Sequence, residues 1–424
     1  MMPPLRNFLE SVFPGLFRRP IPAEAPGCVV LLRTDMFGDQ VIFGGFIELM
    51  RRAWPKTRLV LVAPAVRRHL YEFCPDLDDK IFFDWKTTTN SKKLRAELYV
   101  RIRAVCPDYI ISSQFTRCAM TDRIMRYCPA RVRLGITGHN PQVSPKQRRF
   151  DRYYTHLLDL PDFQPSRTET SIVQRVLEML GIPSAGCGPR VWTSAEDVAY
   201  AERIFRESGF VPERTLVFFS GSSSKLRSYA PLKDLVAGLL RDGPWSIIVV
   251  GSRDDFPHGE PPSESLRSRW LNLCGLCTIR ESAELMRRCR LVLGVETGLA
   301  QVACAVGVPH VLLQSGAYFG RFLPASAQSS VVILPLTCYF CLAECPYDQA
   351  YCLTQIPAYV FRRAVDEALA GPAAKARIYL PQPAPKIPSG ASGTALVPEP
   401  HWQDDWIDSQ RAEVISVPPP GLSS

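Results

Sequence analysis

The chain has no stretch approaching the roughly 18 uninterrupted apolar residues of a membrane-spanning helix, which argues against an integral helical membrane protein. Nowhere do basic clusters interleave with aromatics as on a nucleic-acid platform, so no nucleic-acid partner is expected. The Gly-Lys-Ser order of a Walker phosphate loop is missing as well. The opening segment "MMPPLRNFLESVFPGLFRRP" lacks the long apolar core and small-residue cleavage site of a signal peptide, which points to a cytoplasmic location. What is present is a globular composition, 46% hydrophobic and 21% charged over 424 residues, long enough for about two domains of ordinary size. Lys and Arg outnumber Asp and Glu by 50 to 41, an excess that suits a small anionic ligand or a lipid headgroup.

The first segment, 1–26, sets Leu5, Phe8, Leu9, Val12, Phe13, Leu16 and Phe17 beside Arg6, Arg18 and Arg19. That is the pattern of an interfacial anchor, with the inner face of the cytoplasmic membrane as its candidate partner. A helix packed on the body of the protein fits equally, because Pro14 interrupts the pattern. Most of the fourteen cysteines are scattered, and Cys28, Cys289 and Cys304 stand in apolar runs as small buried hydrophobes.

From Gly27 to about residue 188, short β-rich runs ("CVVLL", "TRLVLVAP", "DKIFFDW", "PDYIISSQF", "ARVRLGIT") alternate with helical or basic segments, the grammar of a parallel α/β domain. "GIPSAGCGPRVW" is dense in Gly and Pro and marks a boundary. The same alternation resumes over 189–370, predicting a second Rossmann-like domain and, with two such domains, an interdomain cleft. Residues 371–424 are rich in Pro, Gly, Ala and Ser without periodicity and are expected to form a flexible tail.

Within the first domain, "CVVLLRTDMFGDQVIF" is a strand buried on both faces that breaks at two carboxylates, Asp35 and Asp39, before a helix begins. Ligands of open α/β sheets bind at the carboxyl ends of strands, so Asp39 stands where chemistry is done; the plainer reading is that it caps the helix. In the second domain "FFSGSSSKLRSYAPLKDL" places Ser222, Lys225 and Arg227 in a polar loop between strand and helix, an anion site or a solvated loop. "RLVLGVETGLAQVACAVG" delivers Glu296 at a strand end, and Thr297, Gly298 and Leu299 open a helix whose amides favour a phosphate. Repelled by such a phosphate, Glu296 would bond sugar hydroxyls or hold a nearby cation; alternatively, Thr297 merely caps the helix and Glu296 is solvated.

These residues carry a resemblance. "LLRTDMFGDQVIFGGFIELMRRAWPKTRLVLVAP", "SGSSSKLRSYAP" and "LCGLCTIRESAELMRRCRLVLGVETGLAQVACAVGVPHVLL" occur in the order seen in glycosyltransferase family 9, the ADP-heptose:lipopolysaccharide heptosyltransferases, and the likeness runs from about Cys28 to about Ala370. The resemblance implies an α/β GT-B fold, two Rossmann-like domains facing an interdomain cleft, with the acceptor mainly on the first and the nucleotide-sugar on the second. It implies an inverting sugar transfer, possible with heptose, from a nucleotide-diphosphate donor such as ADP-heptose to a lipopolysaccharide-type, lipid-linked or other glycan acceptor, with no cofactor for catalysis. Asp39 then falls on the general base, Arg227 or Lys225 on the phosphate-binding Lys, and Glu296, Thr297 and Gly298 on an Asp-Ser/Thr-Gly segment. Where many members have His, this chain has Ile42 and Gln301; Glu296 replaces an Asp and Tyr229 a Trp. Those departures leave a second reading open, a catalytically degenerate nucleotide- or glycan-binding relative.

"LTCYFCLAECPYDQAYCL" holds Cys338, Cys341, Cys345 and Cys352, well away in sequence from both strand-end sites. Four thiolates at these separations suit a closed structural zinc site; free buried thiols and an iron–sulfur cluster also fit the spacing.

Overall fold

A computed structural model of the chain describes residues 20–138, 145–160, 168–219, 229, 231–322, 326–336, 338–342, 344–345, 347, 349–382 and 412–421. The chain divides into two compact units, with the break between Cys187 and Gly188.

The first unit is built on six strands, β1 (Cys28–Leu32), β2 (Arg58–Pro64), β3 (Asp79–Phe83), β4 (Tyr109–Ile111), β5 (Val132–Ile136) and β6 (His156–Leu158), in the order β3-β2-β1-β4-β5-β6. Every pairing is parallel. All five residues of β1 are buried, as the unbroken apolar run requires of a strand covered on both faces. Each such side chain withdrawn from water contributes about 1.5–3 kcal/mol. The helix α1 (Phe37–Ala53) follows, its buried face formed by Val41, Ile42, Phe43, Phe46, Ile47, Leu49 and Met50, with Arg51 and Arg52 at its negative end. Against it packs α2 (Glu169–Met179), through Ile172, Val173, Val176 and Leu177 at helical spacing. Strand order reverses between β1 and β4, so the segment after β1 lies at a topological switch point.

The second unit carries β7 (Thr215–Phe219), β8 (Ser246–Val249), β9 (Trp270–Asn272), β10 (Leu291–Val295), β11 (His310–Leu313), β12 (Ser329–Val332), β13 (Ala376–Pro381) and β14 (Ala412–Val417). Their order is β14-β13-β12-β11-β10-β7-β8-β9, again all parallel, with the reversal between β7 and β10. The helix α3 (Ile279–Arg288) starts from a capping box in which Thr278 and Glu281 satisfy each other's backbone amides. The next, α4 (Gly298–Val306), stops at Gly307, whose φ of 72° is the left-handed conformation of a helix stop. Gly294 in β10 has no room for a side chain, because a Cβ there would lie 2.3 Å from the Phe219 ring.

Two expectations change here. Residues 371–424 are not simply a tail: β13 and β14 extend the second sheet, so this unit runs past Ala370 to at least Val417. The physical reason is visible in β13, where Ala376, Ile378 and Tyr379 are buried and α5 (Ala358–Ala370) packs across β11, β12 and β13. The amphipathic stretch 1–19 lies outside the described residues, as do Ser222, Lys225 and Arg227. Among the described residues no helix is long and apolar enough to cross a membrane.

Candidate active site

Directly after β1 comes Arg33, a guanidinium with no exposed surface. A buried charge survives only when paired and hydrogen-bonded, and Arg33 is both. Its Nη1 donates to Ser113 Oγ at 2.9 Å, just beyond β4, and its Nη2 donates to the backbone carbonyl of Asp39 at 3.0 Å. The same Nη2 lies 2.6 Å from Asp35 Oδ2 and 3.7 Å from Glu169 Oε1, and the guanidinium stacks 4.6 Å above the Phe43 ring. Carboxylate oxygens of Asp35, Asp39 and Glu169 lie within 4.8 Å of one another. Arg67, in the turn after β2, feels both Asp35 and Asp39.

One guanidinium cannot keep three crowded carboxyls ionised. For Asp35, burial is the largest influence, and Asp39 and Glu169 add to it; against the Arg33 charge they push its carboxyl up to about 8. The short contact to Arg33 persists in either protonation state, because Oδ2 accepts its N–H while Oδ1 has no partner and is free to carry the proton. Burial works against the Arg33 charge, yet Asp35, Glu169 and Asp39 together hold its pKa above the usual value. Asp39 is 8% exposed in the first turn of α1. The cap of that helix is Met36, in extended conformation, so Asp39 is not the capping residue. With Arg33 and Arg67 already beside it, the acidic trio is an ion-paired cluster rather than an open cation cage.

The carboxyl ends of β10 and β11 form a second polar group. Glu296 is 3% exposed, so it is not solvated, and Thr297 precedes α4 in extended conformation without a side-chain cap bond. Both parts of the plainer sequence reading therefore fail. In register, Val295 pairs with Leu313, which sets Glu296 beside Gln314, and Gln314 Nε2 donates to Glu296 Oε1 at 3.4 Å. Gly298 and Leu299 occupy the first turn of α4, and Gln301, one turn in, donates to the carbonyl of Phe322 at 3.0 Å.

The four-cysteine segment packs against this end of the second sheet despite its distance in sequence. Phe340 N donates to Gly316 O at 2.7 Å, Leu342 N to Ala317 O at 3.1 Å, and Tyr318 Oη to Leu342 O at 3.2 Å. Phe340 and Leu342 hold left-handed backbone angles, φ 64° and 53°, which bulky residues adopt only when their surroundings impose it. Gly316 is needed there, since a Cβ would lie 2.2 Å from the Tyr339 ring. Cys338, Cys341, Cys345 and Cys352 form no disulfide, and each of the other three thiols lies close enough to Cys352 to act on its charge. Burial pushes the Cys352 thiol up to about 12, and Gly316 N donates to its sulfur at 3.4 Å.

Of the residues singled out in sequence, Glu296, Thr297, Gly298 and Leu299 come together at one strand end, and Asp39 stands at the other unit's switch point. Arg33, Glu169, Gln314 and Ser315 were not singled out. A charge closing a buried strand could have exposed Arg33, and strand-end position could have exposed Gln314 and Ser315; nothing local marks Glu169.

Residues 156–350 match the profile of Glycosyltransferase family 9 (heptosyltransferase). No curated protein matches the chain in sequence. Among solved structures the chain is similar to a glycosyl transferase family 9 protein from Veillonella parvula DSM 2008, at 20% identity and a TM-score of 0.67 over 81% of this chain and 97% of that one. It is similar to E. coli ADP-heptose lps heptosyltransferase II, at 15% identity and a TM-score of 0.61 over 81% and 98% of the two chains. E. coli heptosyltransferase WaaC with ADP-2-deoxy-2-fluoro heptose follows, at 15% identity and a TM-score of 0.56 over 80% and 99%. At these identities the structural likeness establishes the fold, two parallel-sheet α/β domains of GT-B type, and with the match of residues 156–350 to the glycosyltransferase family 9 profile the chain is a glycosyltransferase.

Proposed function

We propose that the chain catalyses an inverting transfer of a sugar, heptose being the first candidate, from a nucleotide-diphosphate donor to a glycan or lipid-linked acceptor of lipopolysaccharide type. The observation that carries the reading is Asp39 at the switch point of the first sheet, little exposed, its backbone carbonyl held by the buried Arg33. In the proposed step the acceptor hydroxyl gives its proton to the Asp39 carboxylate as its oxygen bonds to the anomeric carbon. The bond from that carbon to the diphosphate oxygen breaks on the opposite face, and its electron pair leaves with the nucleoside diphosphate. The amides at the start of α4 would receive the diphosphate, and Lys225 and Arg227, outside the described residues, would add charge to the leaving group. No metal or cofactor enters this step. The donor choice leans on WaaC, whose structure holds an ADP-heptose analogue.

The test is a panel of ADP-, GDP- and UDP-sugars, read first as thermal stabilisation and then as release of nucleoside diphosphate in the presence of glycan acceptors. An ADP-sugar that raises the melting temperature and is turned over supports the proposal. Stabilisation without turnover by any acceptor would favour the degenerate binding protein, for which the replacement of imidazoles by Ile42 and Gln301 speaks.

A further inference from the structure

We propose that Gln314 and Ser315 select the donor sugar, their side-chain oxygens accepting hydrogen bonds from its hydroxyl groups; this rests on the donor reading just given. Gln314 is 0% and Ser315 1% exposed, and neither Gln314 Oε1 nor Ser315 Oγ has a hydrogen-bond partner among the described residues. Close by in the fold, Thr297 Oγ1 and Gln301 Oε1 are buried and unsatisfied too. Buried polar atoms are almost always satisfied, and each one left without a partner disfavours the ligand-free fold. Three at the ends of two adjacent strands, β10 and β11, and one in the helix that follows β10 mark a wall shaped for something that is not part of the chain.

The chemistry of the wall indicates what that is. The Gln314 amide N–H is committed to Glu296, and the Gln301 amide N–H to the Phe322 carbonyl, which leaves carbonyl oxygens as the unused groups. Together with the Glu296 carboxylate they make a surface of acceptors, which would repel a phosphate and welcome hydroxyl donors. A polyhydroxylated ring meets that need. The diphosphate would lie instead at the N-terminal amides of α4, one strand over, so a sugar attached to it reaches Gln314 and Ser315 while the bare nucleotide does not. The turn that follows is clamped by the cysteine segment through Gly316, Ala317 and Tyr318, which fixes the wall from behind.

The experiment compares Ser315→Ala and Gln314→Met with the wild-type full chain. Calorimetry measures binding of a nucleoside diphosphate and of the corresponding nucleotide-sugar, using ADP, GDP and UDP and their sugars; melting is recorded without ligand. Ser315→Ala is expected to keep or raise its ligand-free melting temperature, Gln314→Met to lose some stability with its bond to Glu296, and both to bind the nucleoside diphosphate as the wild type does. Affinity for the nucleotide-sugar should fall about 3- to 10-fold per lost contact. Equal weakening of both ligands, no weakening of either, or a lowered melting temperature in both variants would overturn the assignment. A wild type that binds a nucleoside diphosphate but gains nothing from its sugar would overturn it while leaving the nucleotide site intact. Failure to bind any of the six ligands would instead sink the donor reading on which it rests.

Discussion

The guanidinium of Arg33 holds the backbone carbonyl of Asp39 at 3.0 Å, so the residue that closes the first strand fixes the position of the carboxylate that opens the first helix. The same group reaches Glu169 on α2, which makes helix packing and site geometry one arrangement. Removing one member of a buried ion pair strands its partner in a low-dielectric interior, at about 3–5 kcal/mol. Arg33→Ala should therefore lose about that much in urea denaturation. Adding Glu169→Gln should recover part of the loss, since it removes a stranded charge; a strictly additive double variant would show that the two side chains do not interact.

Asp35 gives a pH signature of unusual sign. Its carboxyl is raised from an ordinary 3.8 to about 8 by burial and by Asp39 and Glu169. A folded value above the unfolded one means that the folded state binds the proton more tightly, so the stabilisation is full below about pH 4 and is lost as pH rises towards 8. Asp35→Asn mimics the protonated form. Melting curves between pH 5 and 8.5 should show the wild type losing ground to this variant as pH rises, and parallel curves would contradict the protonation assigned to Asp35.

His310 acts in the opposite direction. Its Nδ1–H donates to the Val308 carbonyl at 2.8 Å, and its Nε2 accepts from the Ser329 hydroxyl at 2.7 Å, so the ring is buried and neutral, with burial lowering its pKa from 6.5 to about 4. Here the unfolded chain binds the proton first, and stability is lost as pH falls from about 6.5 to about 4, by up to about 3 kcal/mol. His310→Gln should flatten the acid limb of the stability curve. An unchanged limb would place the titrating group elsewhere.

The strands and the two-unit division could be read from the sequence because "CVVLL" and "RLVLGV" are unbroken apolar runs ending at polar residues, a pattern with few other solutions in a parallel sheet. The position of Asp39, just beyond a strand end, was legible for the same reason. Glu169 was not, because its place beside Arg33 depends on how α2 packs across α1, a long-range contact that leaves no local periodicity. Gln314 and Ser315 end "HVLLQS" much as Glu296 and Thr297 end "LVLGVET", but neutral side chains draw less attention than a carboxylate. The strands β13 and β14 were missed because Pro- and Gly-rich sequence between and beside them dominated the composition of the whole segment. The cysteine spacing suggested a metal but gave no sign of the segment's backbone hydrogen bonds to the turn after β11, which are long-range contacts.

The central claim, that Asp39 takes the acceptor's proton, is tested most directly by Asp39→Asn. The variant should be measured for turnover with whichever nucleotide-sugar the wild type uses and, by calorimetry, for affinity towards that donor. The account predicts turnover lowered by roughly 10²-fold or more, with donor affinity and melting temperature close to those of the wild type. Turnover near the wild-type rate, in a folded variant that binds donor normally, would contradict it.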